Sequence, residues 1–316
     1  MTVLLILAIG FVAFTNGANA NFKGVASLYG SGTTTLRGAL YWGTATTFAG
    51  SLAAMFLAHG LVKAFGGRGI VADSLAASPD FVTAVALGAA GTSFLASRFG
   101  FPVSTTHALV GAIVGAGLAG GGTNIQWAAL GKNFFYPLFF SPFIAAILGA
   151  VTFGLFNLLR VPAERTPLLD ALHYLSGGAA SFARGLNDTP KMVALFVVVP
   201  GFEMNWAFLI VAVLIAAGGL LDADRVAETL GKKVTAMNPR EGFAVSLVTA
   251  GLVSTASLHS LPVSTTHVSV GTMLGLGAAT GNLNWRKGGE ILLAWISTVP
   301  CGALLAAAAY AALSAV

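Results

Sequence analysis

Six residues, Pro-Val-Ser-Thr-Thr-His, stand at 102–107 and again at 262–267. A chain that repeats a polar word in register is built from two equivalent units, and this decides its architecture before any single helix is assigned. At a shift of 160, residues 91–119 align with 251–279: Gly91 meets Gly251, Ala96-Ser97 meets Ala256-Ser257, and Gly111, Gly115 and Gly117 meet Gly271, Gly275 and Gly277. At a shift of 168, Gly17-Ala18-Asn19-Ala20-Asn21-Phe22-Lys23 meets Gly185-Leu186-Asn187-Asp188-Thr189-Pro190-Lys191. The difference between the shifts is a loop deletion. Both words keep the same order in each half.

The two units belong in a membrane. Only 9% of the residues are charged and 56% are hydrophobic, against about 25% charged in a soluble domain. Apolar runs fall at roughly 2–14, 38–65, 81–98, 103–120, 134–159, 168–183, 192–221, 242–258, 262–280 and 289–315. Several can hold more than one element, so the expected fold is an all-α polytopic membrane protein with ten to twelve segments or half-segments. The 40 glycines suit helices that approach closely. A polar stretch at 161–167 divides a first repeat, residues 1–160, from a second, residues 168–316. Another polar stretch, Asp222 to Glu241, carries eight charges and reads as a solvated connector.

Composition also removes some functions. The net charge of +5 does not point to nucleic acid, because Arg160, Arg165, Arg225, Lys232, Lys233 and Arg240 lie between apolar runs, as positive-inside loops do. Both basic loops are expected on the cytoplasmic side of a cell membrane. The single cysteine, Cys301, excludes an internal disulfide and a cysteine metal cluster. Ala18-Asn19-Ala20 imitates a signal-peptidase site, but no basic residue precedes the first apolar run. Residues 1–23 therefore read as a retained, interrupted transmembrane segment, matched by its counterpart in the second half.

Two halves with polar interruptions at corresponding places fit the pattern of secondary transporters. Whether the halves are inverted depends on the parity of crossings, which counting leaves open. In Pro-Val-Ser-Thr-Thr-His, proline suits a helix entry and serine or threonine an N-cap. Ser104, Thr105 and Thr106, like Ser264, Thr265 and Thr266, are thus predicted at helix starts. The first N–H groups of a helix lack internal partners and carry partial positive charge. Two such ends facing each other can enclose a tetrahedral oxyanion. The plainer reading is capping within membrane helices. His107 and His267 can bond a carbonyl and lock the hairpin, or serve as ligand or proton relay.

In the other word, Gly185 and Pro190 predict a break in the helix, with carbonyls and the oxygens of Asn187 and Asp188 forming a shell for a small cation. The plainer alternative pairs Asp188 with Lys191 three residues on. Lys23 and Lys191 can attract an anion or extend to water at a membrane edge.

The doubled words carry a family likeness. Gly17-Ala18-Asn19-Ala20-Asn21, Gly185-Leu186-Asn187-Asp188 and both copies of Pro-Val-Ser-Thr-Thr-His resemble the inorganic phosphate transporter family, over essentially the whole chain. The resemblance implies symport of phosphate with sodium ions or protons. It also implies two inverted repeats with broken helices and re-entrant hairpins, a homodimer, and an elevator-like movement. By position it implies that the Ser-Thr-Thr triplets surround phosphate. Asn21 and Thr189 would join the phosphate site, and Asn19, Asn187 and Asp188 the cation site. One position departs: the family motif has aspartate where this chain has Ala20, the partner of Asp188. The first-half cation site is then weakened or absent, and Ala20→Asp is expected to increase cation-dependent uptake.

The expected function is therefore cation-coupled phosphate symport, with no enzyme chemistry and no cofactor beyond the coupling ion. A sulfate permease of the same family is the nearest alternative. A passive anion channel is a further one. Ser104 and His107 stand one helical turn apart, as in a hydrolase, but no Gly-x-Ser-x-Gly elbow accompanies them.

Overall fold

The computed structural model describes residues 1–121 and 125–315, apart from the side chain of His59, and they form helices without a β-sheet. In the first half these are α1 (Thr2–Ala20), α2 (Ala26–Gly30), α3 (Leu36–Leu57), α4 (His59–Phe65), α5 (Asp73–Ala76), α6 (Pro79–Arg98), α7 (Thr105–Ala119), α8 (Trp127–Leu130) and α9 (Tyr136–Leu158). The second half contains α10 (Pro167–Val193), α11 (Met204–Leu221), α12 (Asp224–Glu228), α13 (Pro239–Leu258), α14 (Thr265–Thr280) and α15 (Trp285–Ser314). Among the described residues, six spans satisfy both the length and the apolarity of a membrane crossing: α1, α6, α8 through α9, α11, α13 and α15. α3 and α10 are as long but more polar, and each turns polar side chains inward, Thr44, Thr47 and Ser51 on the one and Arg184, Asn187 and Asp188 on the other.

Local sequence sets the helix starts. Thr166 caps α10 through the N–H of Leu169, with Pro167 at the first helical position. Asn238 and Glu241 form a capping box on α13, again with proline following the cap. The elements repeat: α6 at 79–98 and α13 at 239–258 are offset by the same 160 residues as the repeated word.

Helix directions establish that the repeats are inverted. α1 and α11 run in parallel, Gly10 lying by Leu214 and Phe14 by Gly218. α3 and α10 also run in parallel, Thr47 meeting Ser181 and Ser51 meeting Thr189. α3 runs back from α1, with Asn21 opposite Thr44 and Val25 opposite Gly43. Hence α10 runs opposite to its equivalent, α1.

The halves also exchange contacts. α7 packs on α15 of the second half, and α14 packs on α9 of the first. A Cβ on Gly111 or Gly115 would strike the carbonyls of Val299 or Ala303, and one on Gly271 or Gly275 those of Pro142 or Ala146. Small residues here bring the helix backbones together. The outer surfaces of α9 and α15 expose Phe139, Ile147, Leu293, Ile296 and Leu304, the apolar face expected against lipid.

Two sequence expectations are corrected. The Asp222–Glu241 stretch is not a free solvated connector. α12 and the turn after it bury Val226, Leu230 and Val234, which recur every four residues, against Phe22 and Leu28. Its charges lie on the other side, where Glu228 accepts from Tyr29 and Lys232 donates to the Tyr29 carbonyl. The helix at 185–190 is also not broken. α10 continues through Pro190 to Val193. Gly185 serves close approach instead, since a Cβ there would meet the Thr47 carbonyl. Proline costs one backbone bond, and the ion pairs of Asp188 with Arg184 and Lys191 staple the turns on either side. The first half does break: α1 stops at Ala20 and turns follow to Val25.

The two basic loops share one face. Arg240 donates to the carbonyl of Val161, and Arg165 to that of Gly32.

Candidate functional site

Residues 101–103 and 261–263 run outside helices into the middle of the bundle, and α7 and α14 begin there. Ser104 is the N-cap of α7, its Oγ accepting from the His107 N–H at 3.2 Å, and Ser264 repeats this with His267 at 3.2 Å. Each serine hydroxyl keeps its own proton to donate. The N–H groups of Thr105, Thr106, Thr265 and Thr266 fall in the first helical turn and have no intrahelical partner. All six triplet residues are buried.

The two helix starts meet. Thr106 Oγ1 donates to the Val263 carbonyl at 3.3 Å, and Thr266 Oγ1 donates to the Val103 carbonyl at 2.7 Å. A lysine from each half clamps this reciprocal pair. Lys23 Nζ reaches Val103 O at 2.8 Å, Thr266 Oγ1 at 2.5 Å and Asn19 Oδ1 at 3.2 Å. Lys191 Nζ reaches Val263 O at 3.0 Å, Thr106 Oγ1 at 2.8 Å and Asp188 Oδ1 at 2.9 Å. Neither lysine extends to the membrane edge; both are fully buried.

The asparagines brace these segments. Asn19 donates to Ser97 Oγ and Phe101 O, and its Oδ1 accepts from the Val103 N–H at 3.0 Å as well as from Lys23. Asn187 Nδ2 donates to Val263 O at 3.1 Å and to Asp188 at 3.2 Å. Its Oδ1 is buried without a partner among the described residues. Asn21 and Thr189, equivalent across the repeat, both turn to α3 rather than to the triplets: Asn21 donates to Thr44 at 2.6 Å and Thr189 to Ser51 at 2.7 Å. Ala20 is buried and offers no ligand atom.

Sequence reasoning missed two members. Arg184, buried on α10, lies one turn before Asp188, its Nε 3.5 Å from Asp188 Oδ2. Its terminal nitrogens donate to Asn16 O at 3.2 Å, to Asn16 Oδ1, and to Asn21 Oδ1 at 3.3 Å. Asn16 in turn donates to Thr105 Oγ1 at 2.9 Å and to Asp188 Oδ2 at 3.2 Å. The available signals were the four-residue spacing of Arg184 to Asp188 and the alignment of Asn16 with Arg184 at the shift of 168.

His107 and His267 sit behind the triplets, their ring centroids 4.5 Å apart. His267 stacks on Trp295 at 4.1 Å and its Nδ1 lies 3.1 Å from Leu138 O. Trp295 Nε1 donates to Pro102 O at 3.0 Å, so this stack props the extended segment.

Among the described residues, the centre therefore holds three basic side chains, Lys23, Arg184 and Lys191, against one carboxylate, Asp188, all buried. An excess of two formal positive charges in a dry interior favours a divalent oxyanion strongly. Helix N-termini and hydroxyls supply further donors for the same ligand.

A family model described as the phosphate transporter family matches residues 16–167 and 158–306. The chain belongs to the phosphate transporter family. It is 30% identical, over 98% of its own length and 96% of the relative's, to a protein of Rhizobium meliloti named "Probable low-affinity inorganic phosphate transporter". A Bacillus subtilis protein of the same name is 24% identical over 98% of this chain and 96% of its own. Among solved structures, a sodium-dependent phosphate transporter superposes with a TM-score of 0.86 at 25% identity, covering 99% of this chain and 100% of the other. The chain is thus a phosphate transporter and a multi-pass membrane protein.

Proposed function

We propose that this member of the phosphate transporter family works as a symporter, carrying inorganic phosphate together with a sodium ion or a proton. The reading rests on one observation above all: a buried lysine from each repeat reaches across to the threonine of the opposite Ser-Thr-Thr triplet. Phosphate held by Ser104, Thr105, Thr106, Ser264, Thr265 and Thr266 would be counterbalanced by Lys23 and Lys191. The helix dipoles and first-turn N–H groups are already in place for the anion, whereas the hydroxyls of Thr106 and Thr266 turn from the Val263 and Val103 carbonyls to reach it.

Hydrogen phosphate can donate a hydrogen bond and sulfate cannot. The buried Asn187 Oδ1, an acceptor beside Val263, suits the protonated anion. Asn19, Asn187 and Asp188 brace the site, and Asn21 and Thr189 tie it to α3.

Alternating access follows from the architecture. Inverted repeats offer two conformations of similar energy in which the halves swap roles. Elevator-like movement of the site-bearing helices against α9 and α15 in a homodimer is our working form of it. The division at 161–167 separates the repeats. The face bearing the 160–165 and 225–240 loops is assigned to the cytoplasm.

Uptake of radiolabelled phosphate into proteoliposomes tests this reading. A symporter accumulates phosphate against its gradient when a sodium or proton gradient is imposed. Mere equilibration would make it a channel, and preference for sulfate in counterflow would overturn the substrate.

A further inference from the structure

The resident cation at Asp188 is part of the chain. Four oxygens converge on the Arg184 guanidinium: Asn16 O, Asn16 Oδ1, Asn21 Oδ1 and Asp188 Oδ2. Carbonyl oxygens from a broken helix, amide oxygens and one carboxylate are the donor set a small hard cation takes in transporters of this architecture. Here an arginine occupies it. The carboxylate is filled as well. Asp188 Oδ1 accepts from Lys191 and Asn187, while Oδ2 accepts from Asn16 and faces Arg184 Nε. A carboxylate offers about four lone-pair directions; N–H donors take three of them here, and the Arg184 guanidinium lies beside the remaining one. A sodium ion fits neither set without displacing a buried guanidinium.

The repeat explains why charge balance survives. At the shift of 168, Arg184 and Asp188 correspond to Asn16 and Ala20. The second half carries a cation and an anion that offset one another, and the first half carries neither. The second half then sets two cations, Arg184 and Lys191, against Asp188, and the first half sets Lys23 alone, so each half contributes one net positive charge and the two match a divalent anion with no metal charge added.

We infer that Arg184 stands in place of a coupling metal ion, so that this transporter binds phosphate without sodium. The inference rests on the proposed function and narrows it, leaving the proton as the coupling ion. Arg184 is a positioning residue: it holds Asn16 against Thr105 and Asp188, two groups that frame the triplets.

The test uses the purified, detergent-solubilised full chain in choline chloride, with sodium chloride exchanged in at constant ionic strength. Two quantities are read: melting temperature without phosphate, and phosphate affinity from tryptophan fluorescence. For the unmodified chain, sodium is expected to leave the melting temperature unchanged and the phosphate dissociation constant within about twofold. Arg184→Gln vacates the oxygen nest and is expected to gain a sodium-dependent rise in melting temperature of about 2 °C or more. Should that variant fail to fold, Ala20→Asp replaces it. The new carboxylate has Lys23 three residues on but Asn16, not arginine, four residues before, so it too should gain sodium dependence. Arg184→Lys, which keeps the charge, should gain none.

A sodium-dependent rise in the unmodified chain, or tenfold tighter phosphate binding in sodium, overturns the inference. So does a folded Arg184→Gln or Ala20→Asp protein that ignores sodium. Absence of phosphate binding in every buffer would instead sink the functional reading, because the melting arm decides the sodium question alone.

Discussion

The ammonium of Lys23 lies 2.5 Å from the hydroxyl of Thr266, a residue 243 positions away in the chain. The equivalent contact, Lys191 to Thr106, joins the halves in the opposite sense at 2.8 Å. These are cross-repeat bonds, and each ties a charge to the start of the helix in the other half. Charge-assisted hydrogen bonds of this kind are worth about 1.5–3 kcal/mol. Lys23→Met and Lys191→Met are each expected to weaken phosphate binding by about tenfold or more, read by isothermal titration calorimetry. Arginine should not rescue either position, since a planar fork cannot reproduce the compact three-donor geometry. Unchanged affinity in both methionine variants would remove the lysines from the site.

In the proposed phosphate site, Ser104 and Ser264 perform two tasks at one atom. The oxygen caps the helix and the proton is free for the anion. Ser104→Ala is expected to lose about 0.5–2 kcal/mol of stability from the cap alone. Phosphate affinity should fall as well. Stabilisation by saturating phosphate, measured as a shift in melting temperature, should therefore be smaller than in the unmodified chain. Equal shifts would leave serine as a cap only.

The helix exchange predicts a graded set of glycine effects. Gly115→Ala and Gly275→Ala drive a methyl into the carbonyls of Ala303 and Ala146. Overpacking of this kind costs about 1–3 kcal/mol. Gly154→Ala has open space around its Cβ and serves as the control. Thermal unfolding in detergent should rank Gly154→Ala at or above the unmodified chain and both others well below it.

The imidazoles offer a separation of roles. His267→Phe keeps a flat ring between His107 and Trp295 and loses only the contact with Leu138 O. Its phosphate affinity is expected to stay within about threefold, with a stability loss of about one hydrogen bond, 0.5–1.5 kcal/mol. His267→Ala also loses the stack, and should be markedly less stable. A phenylalanine variant that folds well but transports nothing would assign the ring to proton movement instead.

Much of this was legible because polar words stand out in an apolar chain. The Ser-Thr-Thr triplets, both lysines, Asn19, Asn187 and Asp188 could all be picked out from residue type and repeat position. Arg184 and Asn16 are also equivalent at the shift of 168, but that equivalence does not say that they touch. Their contact depends on α1 lying against α10, a three-dimensional fact with no local signature. The unbroken α10 was misread because glycine and proline usually signal a stop. Here glycine permits contact with α3, and side-chain pairing offsets the missing backbone bond. In Asp222–Glu241 the charges masked a short apolar face, Ala223, Val226, Ala227, Leu230, Val234 and Met237, set among polar residues on a short helix and the turns around it.

The partner surface for α7 comes from α15, residues 285–314. During synthesis α7 can settle on α6 but must wait for its principal partner until α15 leaves the ribosome. Its counterpart α14 finds α9 already in place. The two arms, alike once folded, thus mature in different circumstances, and a chain cut short before residue 285 would keep the one and strand the other.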